Sequence, residues 1–101
     1  MTDDLRAAAE GADVLYTDVW VSMGKEEESA CRIAQLADYQ INADLLALAP
    51  GALVMHCLPA YRGKEITAEV LEANAGTIFQ QAENRLHAQK AVLAEVARAY
   101  R

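Results

Sequence analysis

Three short apolar runs, each followed closely by polar or reactive side chains, constrain the fold of this chain most strongly. They occupy residues 14–17, 53–55 and 77–79. Runs this short and this apolar are typical of buried strands, and the segments between them have the spacing of amphipathic helices. Strands that alternate with helices predict a parallel sheet. We therefore expect an α/β fold with helices on both faces of the sheet.

Helices are predicted on either side of each strand. Thr2, Asn42 and Thr67 are the expected N-caps of the first, third and fourth helices, and the second begins in the acidic segment 26–28. The last helix is expected to run from about Ala82 to the end. Its predicted inner stripe consists of Leu93, Val96, Ala97 and Tyr100.

The order of these elements suggests a fragment. A helix precedes the first strand, as a crossover arriving from an earlier strand would. Three short parallel strands also cannot easily protect both faces and both edges of a sheet. We therefore expect N-terminal sequence to be missing from the 101 residues.

Composition limits the class of function. A chain of 101 residues is one domain at most, and its 53% apolar content is ample for a core. A net charge of −6 without a basic cluster argues against a nucleic-acid partner, and no apolar run reaches the length of a membrane helix. The N-terminus does not have the pattern of a signal peptide, and two separated cysteines do not form a disulfide framework. These features predict a cytoplasmic protein with free thiols.

Cys57, at the end of the second strand predicted over Leu53–Cys57, is the foremost candidate for chemistry. A thiol there can act as a nucleophile, as a general base, or as a hydrogen-bond partner, or it can be buried and inert. Adjacent strand residues point to opposite faces, so His56 cannot easily activate Cys57 or share a metal ion with it. No ligand-type spacing occurs elsewhere, and we expect no metal site. Cys31 is interpreted as a packed thiol.

The other two strand ends add charge and hydrogen-bonding groups. Asp18 suits a substrate ammonium group or caps a turn, and the small loop at residues 22–24 (Ser-Met-Gly) can hold a carboxylate through its hydroxyl and backbone N–H groups. Arg85 is expected in the first turn of the last helix, where the helix dipole disfavours a cation. It is therefore either directed at an anion or oxyanion, or a surface arginine paired with Glu83.

Leu58 is a candidate through its backbone. Pro59 fixes its own φ and biases the preceding residue towards an extended conformation. An extended Leu58 is able to present its carbonyl oxygen to a ligand. The alternative is an ordinary turn.

Three motifs together resemble a known family. Residues 17–24 (Thr-Asp-Val-Trp-Val-Ser-Met-Gly), 56–59 (His-Cys-Leu-Pro) and 82–85 (Ala-Glu-Asn-Arg) are similar in order and spacing to the C-terminal part of ornithine carbamoyltransferases. The resemblance covers nearly the whole chain from about Gly11. It implies an incomplete Rossmann-like ornithine-binding domain over residues 1–101, with the closing C-terminal helix and without the N-terminal carbamoyl-phosphate domain.

The resemblance also implies an activity. The side-chain amine of ornithine would attack carbamoyl phosphate, giving citrulline and phosphate without a cofactor. By resemblance, Asp18, Ser22 and Met23 hold ornithine. Cys57 lies near the reacting amine, contacts both substrates and helps to take the proton of the amine. The Leu58 carbonyl and Arg85 then orient and polarise the carbamoyl group. Members of the family assemble from trimers. Since the phosphate-binding motif is absent, the fragment alone is expected to be inactive.

The residues themselves leave two other hypotheses about the function open. One is an isolated amino-acid-binding α/β module without catalysis. The other is a cysteine hydrolase built on Cys57, which would require a reactive thiolate at neutral pH.

Overall fold

The computed structural model describes residues 1–21 and 29–101. Its sheet consists of two parallel strands, β1 (Val14–Thr17) and β2 (Leu53–His56). The register pairs Val14 with Leu53 at one end and Thr17 with His56 at the other. The prediction of an α/β fold built on a parallel sheet is confirmed.

Five α-helices lie within the described residues. They are α1 (Leu5–Ala9), α2 (Ser29–Leu36), α3 (Ala43–Leu46), α4 (Ala68–Ala73) and α5 (Ala75–Ala99), and a 3-10 helix at Ala37–Tyr39 follows α2. The predicted acidic start of the second helix, at residues 26–28, lies outside the described residues. No helix of the described chain is both long and apolar enough to cross a membrane.

Side-chain caps fix where three of these helices begin. Asn42 accepts the Leu45 N–H at 3.0 Å and Thr67 accepts the Val70 N–H at 3.4 Å, which confirms two predicted N-caps. The first helix differs, because Asp4 accepts the Ala7 N–H at 3.1 Å. The Thr2 hydroxyl accepts the Asp4 N–H instead, so the predicted cap at Thr2 is two residues too early.

The core lies between the sheet and the short helices. Its buried apolar residues are Ala9, Leu15, Ile41, Leu45, Ala49, Val54, Ile66, Val70, Leu71 and Ile78. Backbone hydrogen bonds between Ile41 and the segment Glu65 to Thr67 tie the loop after β2 to the chain before α3. The loop that follows the carboxyl end of β2 is therefore hydrogen-bonded to the segment around Ile41, whose side chain is part of the core.

The predicted third strand is wrong. Residues 77–79 lie in the first turn and a half of α5, which begins at Ala75 rather than near Ala82. Ile78, Gln81 and Ala82 are the residues of this stretch that α5 turns inward, at the i, i+3, i+4 spacing of a helix. The apolar triplet contributes one buried residue, Ile78, and leaves Phe79 exposed.

Two predictions of burial are also wrong. The stripe predicted as the inner face of the last helix is exposed, with Leu93 at 68% and Tyr100 at 89% of full exposure. The main contacts of α5 with other elements are to β2 and α4. Cys31 is exposed as well. At 100° per residue, it lies nearly opposite the direction between Ile33 and Leu36, the half-buried apolar residues of α2.

Candidate active site at the carboxyl end of the sheet

The strand register places Asp18 and Cys57 side by side. Thr17 pairs with His56, so the next residue of each strand emerges at the same height and on the same face. The Cys57 thiol donates a hydrogen bond to Asp18 Oδ1 at 2.9 Å. Two residues 39 positions apart in the sequence thus meet at the carboxyl edge of the sheet, where open α/β folds bind ligands.

Asp18 is held as a carboxylate. The hydrogen bond from the Cys57 thiol is the main cause that lowers the pKa of Asp18, and the Val19 N–H, which donates to Oδ1 at 2.6 Å, lowers it further. Burial opposes these effects only in part. Hydrogen bonds to the charged form stabilise that form, so Asp18 carries a negative charge at neutral pH.

Cys57 is held as a thiol. Burial is the main cause that raises the pKa of Cys57, and the hydrogen bond to Asp18 and the charge of Asp18 raise it further. The positive charge of Arg85 acts in the opposite direction. A raised pKa leaves little thiolate at neutral pH, which counts against the hydrolase interpretation.

A cleft of about 410 Å³ opens beside the thiol. It is lined by Tyr16, Cys57, Gln81, Ala82, Asn84, Arg85 and Ala88, so one wall is the sheet edge and the other is α5. Its volume is within the range of small-molecule sites. Asp18 lines a second cleft of about 310 Å³ together with Trp20, so the Asp18–Cys57 pair lies between the two.

A larger cleft lies away from these groups. It measures about 460 Å³ and is lined mainly by α1, the 3-10 helix and the start of α3, with four carboxylates among its residues. It contains neither a thiol nor a strand end. Within the described chain, no three His, Cys, Asp or Glu side chains converge as metal ligands do.

Arg85 differs from its predicted setting. Since α5 begins at Ala75, Arg85 lies in the third turn, and the argument from the helix dipole does not apply to it. Glu83 contacts His87 at 3.5 Å, and no carboxylate of residues 1–21 or 29–101 lies within ion-pair distance of Arg85. Arg85 lines the cleft because Gln81, Arg85 and Ala88, at the spacing i, i+4, i+7, lie on the same side of α5.

Leu58 is not extended. Its φ is +55°, in the left-handed region, and the Leu58–Pro59 peptide bond is cis. The expectation of an extended residue before proline is therefore wrong. The chain turns back at this point because the Leu58 N–H donates to His56 Nδ1 at 2.8 Å. A leucine held in this region costs about 1–2 kcal/mol, so the surrounding contacts must maintain it.

The structure brings some of the predicted site residues together and does not describe others. Asp18 and Cys57 are in contact, and Arg85 lines the same cleft as Cys57. Ser22 and Met23 lie outside the described residues. No pattern in the sequence indicates Gln81 or Glu65. Glu65 in particular resembles a solvated loop residue, between Lys64 and Ile66, yet it is fully buried against His56.

The fold and these contacts define a class of protein. The chain is an α/β unit with a charged and thiol-bearing cleft at the carboxyl edge of a parallel sheet, the place where open α/β folds bind ligands. The family described as aspartate/ornithine carbamoyltransferase, Asp/Orn binding domain, matches residues 1–96. The chain belongs to this family, and the resemblance drawn from its three motifs is confirmed.

Individual relatives agree. An ornithine carbamoyltransferase of Acidothermus cellulolyticus is 61% identical over 94 residues, which are 92% of this chain and 30% of that protein. One from Methanosarcina acetivorans is 54% identical over 99 residues, 97% of this chain and 33% of that protein. The crystal structure of the anabolic ornithine carbamoyltransferase from Campylobacter jejuni superposes with a TM-score of 0.89 at 40% identity, covering 94% of this chain and 32% of that one. The chain thus spans about a third of the length of these relatives.

Proposed function

We propose that this chain forms the ornithine-binding part of an ornithine carbamoyltransferase. The complete enzyme would transfer the carbamoyl group of carbamoyl phosphate to the side-chain amine of ornithine, giving citrulline and phosphate. The observation that carries the proposal is the hydrogen bond between the Cys57 thiol and the Asp18 carboxylate at the edge of a cleft that Arg85 also lines. Family membership supplies the reaction class.

The proposed chemistry assigns each group a task. The neutral amine attacks the carbonyl carbon, the bond from that carbon to the phosphate oxygen breaks, and the amine loses a proton. Asp18, as a carboxylate, suits the cationic ornithine and favours its approach. Cys57 lies beside it, where its sulfur can take the amine proton as the thiol proton passes along the hydrogen bond to the Asp18 carboxylate.

Arg85 and Leu58 act on the other substrate in this proposal. A guanidinium beside the carbamoyl oxygen stabilises the negative charge that develops there during attack. The Leu58 carbonyl orients the carbamoyl NH₂ group. Holding both substrates in one cleft removes much of the entropic barrier to their reaction. Ser22 and Met23 are proposed to bind ornithine, on the motif alone. The complete enzyme is proposed to be a trimer.

The test is a chimaera. The 94 residues of the Acidothermus cellulolyticus enzyme that match this chain are replaced by those of this chain, and citrulline formation is measured. We expect activity within about tenfold of the parent enzyme, since a change of tenfold corresponds to about 1.4 kcal/mol in the barrier. A folded chimaera that forms no citrulline would contradict the proposal.

Experiments on the isolated chain distinguish the proposed function from a binding module without catalysis. Its binding of ornithine is measured by calorimetry, with putrescine, which lacks the α-carboxylate, as the control ligand. Ornithine binding by the chain combined with an inactive chimaera would favour a binding module without catalysis. The hydrolase alternative has little support, because both ring nitrogens of His56 are occupied by Leu58 and Glu65 and neither is free to activate Cys57.

A further inference from the structure

A histidine and a glutamate are buried together directly behind the cleft. His56 and Glu65 are both 0% exposed, and His56 Nε2 lies 3.0 Å from Glu65 Oε1. Burying two such polar groups is costly unless hydrogen bonds satisfy them. The Asp18–Cys57 chemistry does not use either side chain, since His56 points to the opposite face of the strand from Cys57.

The hydrogen bonds fix the tautomer of His56. A backbone N–H can only donate, and the Leu58 N–H donates to His56 Nδ1 at 2.8 Å. Nδ1 therefore carries a lone pair, and the ring proton lies on Nε2. From there it is donated to Glu65 Oε1, which also accepts the Tyr61 N–H at 2.6 Å. Glu65 is therefore the acceptor that selects this tautomer.

These contacts hold the turn after β2 at both ends. His56 binds Leu58 at the beginning of the turn, and Glu65 binds Tyr61 at its end. The His56 backbone is itself anchored, because its N–H donates to Gln81 Oε1 of α5 at 2.9 Å. Leu58 has a φ of +55°, a conformation that leucine rarely adopts, and the hydrogen bond from its N–H to His56 Nδ1 helps to stabilise it.

We infer that His56 and Glu65 are positioning residues that set the orientation of the Leu58 backbone towards the carbamoyl group. The inference rests on the proposed function, in which the Leu58 carbonyl contacts that group. Glu65 accepts the proton of Nε2, which leaves a lone pair on Nδ1. Nδ1 accepts the Leu58 N–H and so fixes the direction in which the Leu58 carbonyl points. Neither His56 nor Glu65 touches a substrate.

Two substitutions of His56 test the two ring nitrogens separately, because each keeps one of the two hydrogen bonds of the ring. In His56→Asn, the amide oxygen occupies the place of Nδ1 and still accepts the Leu58 N–H. In His56→Gln, the amide NH₂ reaches the place of Nε2 and still donates to Glu65, but the Leu58 N–H loses its acceptor. Both variants reduce the packing of the core, so a general loss of stability affects both.

The test compares the two variants in the active chimaera, with kcat, both KM values and the melting temperature measured for each. We expect His56→Gln to lower kcat by about tenfold to a hundredfold with the KM for ornithine nearly unchanged, as a displaced reacting group does. His56→Asn should retain most of kcat. Equal kcat values in the two variants at similar melting temperatures would overturn the inference while leaving the proposed function intact.

A second measurement does not depend on activity. The chain contains two histidines, so the ring ¹⁵N shifts of His56 are assigned by comparison with His56→Asn, and His87 serves as an exposed reference. We expect a proton on Nε2 and a bare Nδ1 in the 101-residue chain. A proton on Nδ1 would overturn the inference even if the chimaera is active. An inactive chimaera with the expected tautomer would instead locate the failure in the proposed function.

Discussion

At the scale of single residues, one hydrogen bond moves two pKa values in opposite directions. The thiol of Cys57 donates to Asp18, which lowers the pKa of the acceptor and raises that of the donor. Both changes favour the same state, a carboxylate beside a thiol. This state places a negative charge at the edge of the cleft, as the proposed function requires for a cationic substrate, and keeps the sulfur unreactive towards oxidants and electrophiles.

Asp18→Asn is predicted to make Cys57 more reactive. The substitution removes the negative charge and weakens the hydrogen bond that raise the thiol pKa, although burial still acts. More thiolate is then present at each pH below that pKa. The thiolate becomes less nucleophilic, but by a smaller factor, so the net rate rises. The pH profile of alkylation by iodoacetamide, followed by mass spectrometry, should shift to lower pH in this variant.

Two internal controls accompany this measurement. Cys31 is exposed and reports the reagent itself, so rates are expressed relative to it. Asp13→Asn removes a carboxylate at the opposite end of β1 and should leave the rate of Cys57 unchanged. A Cys57 profile that is identical in the wild type and in Asp18→Asn would show that Asp18 does not control the thiol.

Arg85→Ala is predicted to lower kcat in the chimaera far more than it changes the KM for ornithine. Loss of a group that stabilises the developing oxyanion costs about 10²–10³-fold in kcat. The matched control is Arg98→Ala on the same helix, whose guanidinium pairs with Glu95 at the surface. Unchanged kcat with a raised KM would identify Arg85 as a binding residue only.

At the scale of elements, α5 takes the position expected of a third strand beside β2. The triplet at residues 77–79 is apolar enough for a strand, and sequence alone does not distinguish the two possibilities for so short a run. What decides the outcome is tertiary. Gln81, two residues beyond the triplet, accepts the His56 N–H at the free edge of β2, so a side chain supplies the partner that a neighbouring strand would have supplied.

Gln81→Leu is therefore predicted to destabilise the fold. The His56 N–H belongs to a fully buried residue, and removing its acceptor leaves a buried donor unsatisfied, at a cost of about 1–3 kcal/mol. The control is Gln80→Leu, one position earlier on the exposed side of α5, which should change stability by less than about 0.5 kcal/mol. Chemical denaturation of the chain measures both. Equal midpoints would mean that the edge of β2 is satisfied in another way.

The sequence predicted more of the site than of the packing around it. Asp18 and Cys57 follow strands in a parallel sheet, and their contact follows from the register once the strands are recognised. Glu65 gave no such signal, because its burial depends on where Ile41 and His56 lie in three dimensions. Motifs at strand ends are local, whereas the exposure of a loop carboxylate is a property of the whole fold.

At the scale of the whole molecule, the chain is more extended than a domain of its size. Its radius of gyration is 16.4 Å, whereas a compact domain of 100 residues has about 13 Å. The long axis measures 51 Å. The 25-residue α5 is about 37 Å long at 1.5 Å per residue, and it packs on the core along only part of that length.

This shape explains why the predicted inner stripe failed. Leu93, Val96, Ala97 and Tyr100 have apolar spacing, but they lie on the half of α5 that is exposed in the structure. A periodic pattern indicates that a helix has an apolar face and does not identify what covers it. Ile78, near the other end of the same helix, is fully buried in the core.

Ile78→Ala and Leu93→Ala are therefore predicted to differ sharply in the isolated chain. Both remove a large aliphatic side chain from α5, and both leave alanine, the residue with the highest helix propensity. Ile78→Ala opens a cavity in the core and should lower the free energy of unfolding by about 2–5 kcal/mol. Leu93→Ala removes a side chain that is already two-thirds exposed, so it should change the free energy by less than about 0.5 kcal/mol. Urea denaturation of each variant measures both values. Comparable losses would show that Leu93 is buried in solution and that the second half of α5 folds back onto the core, in which case the extended shape of the molecule would have to be abandoned.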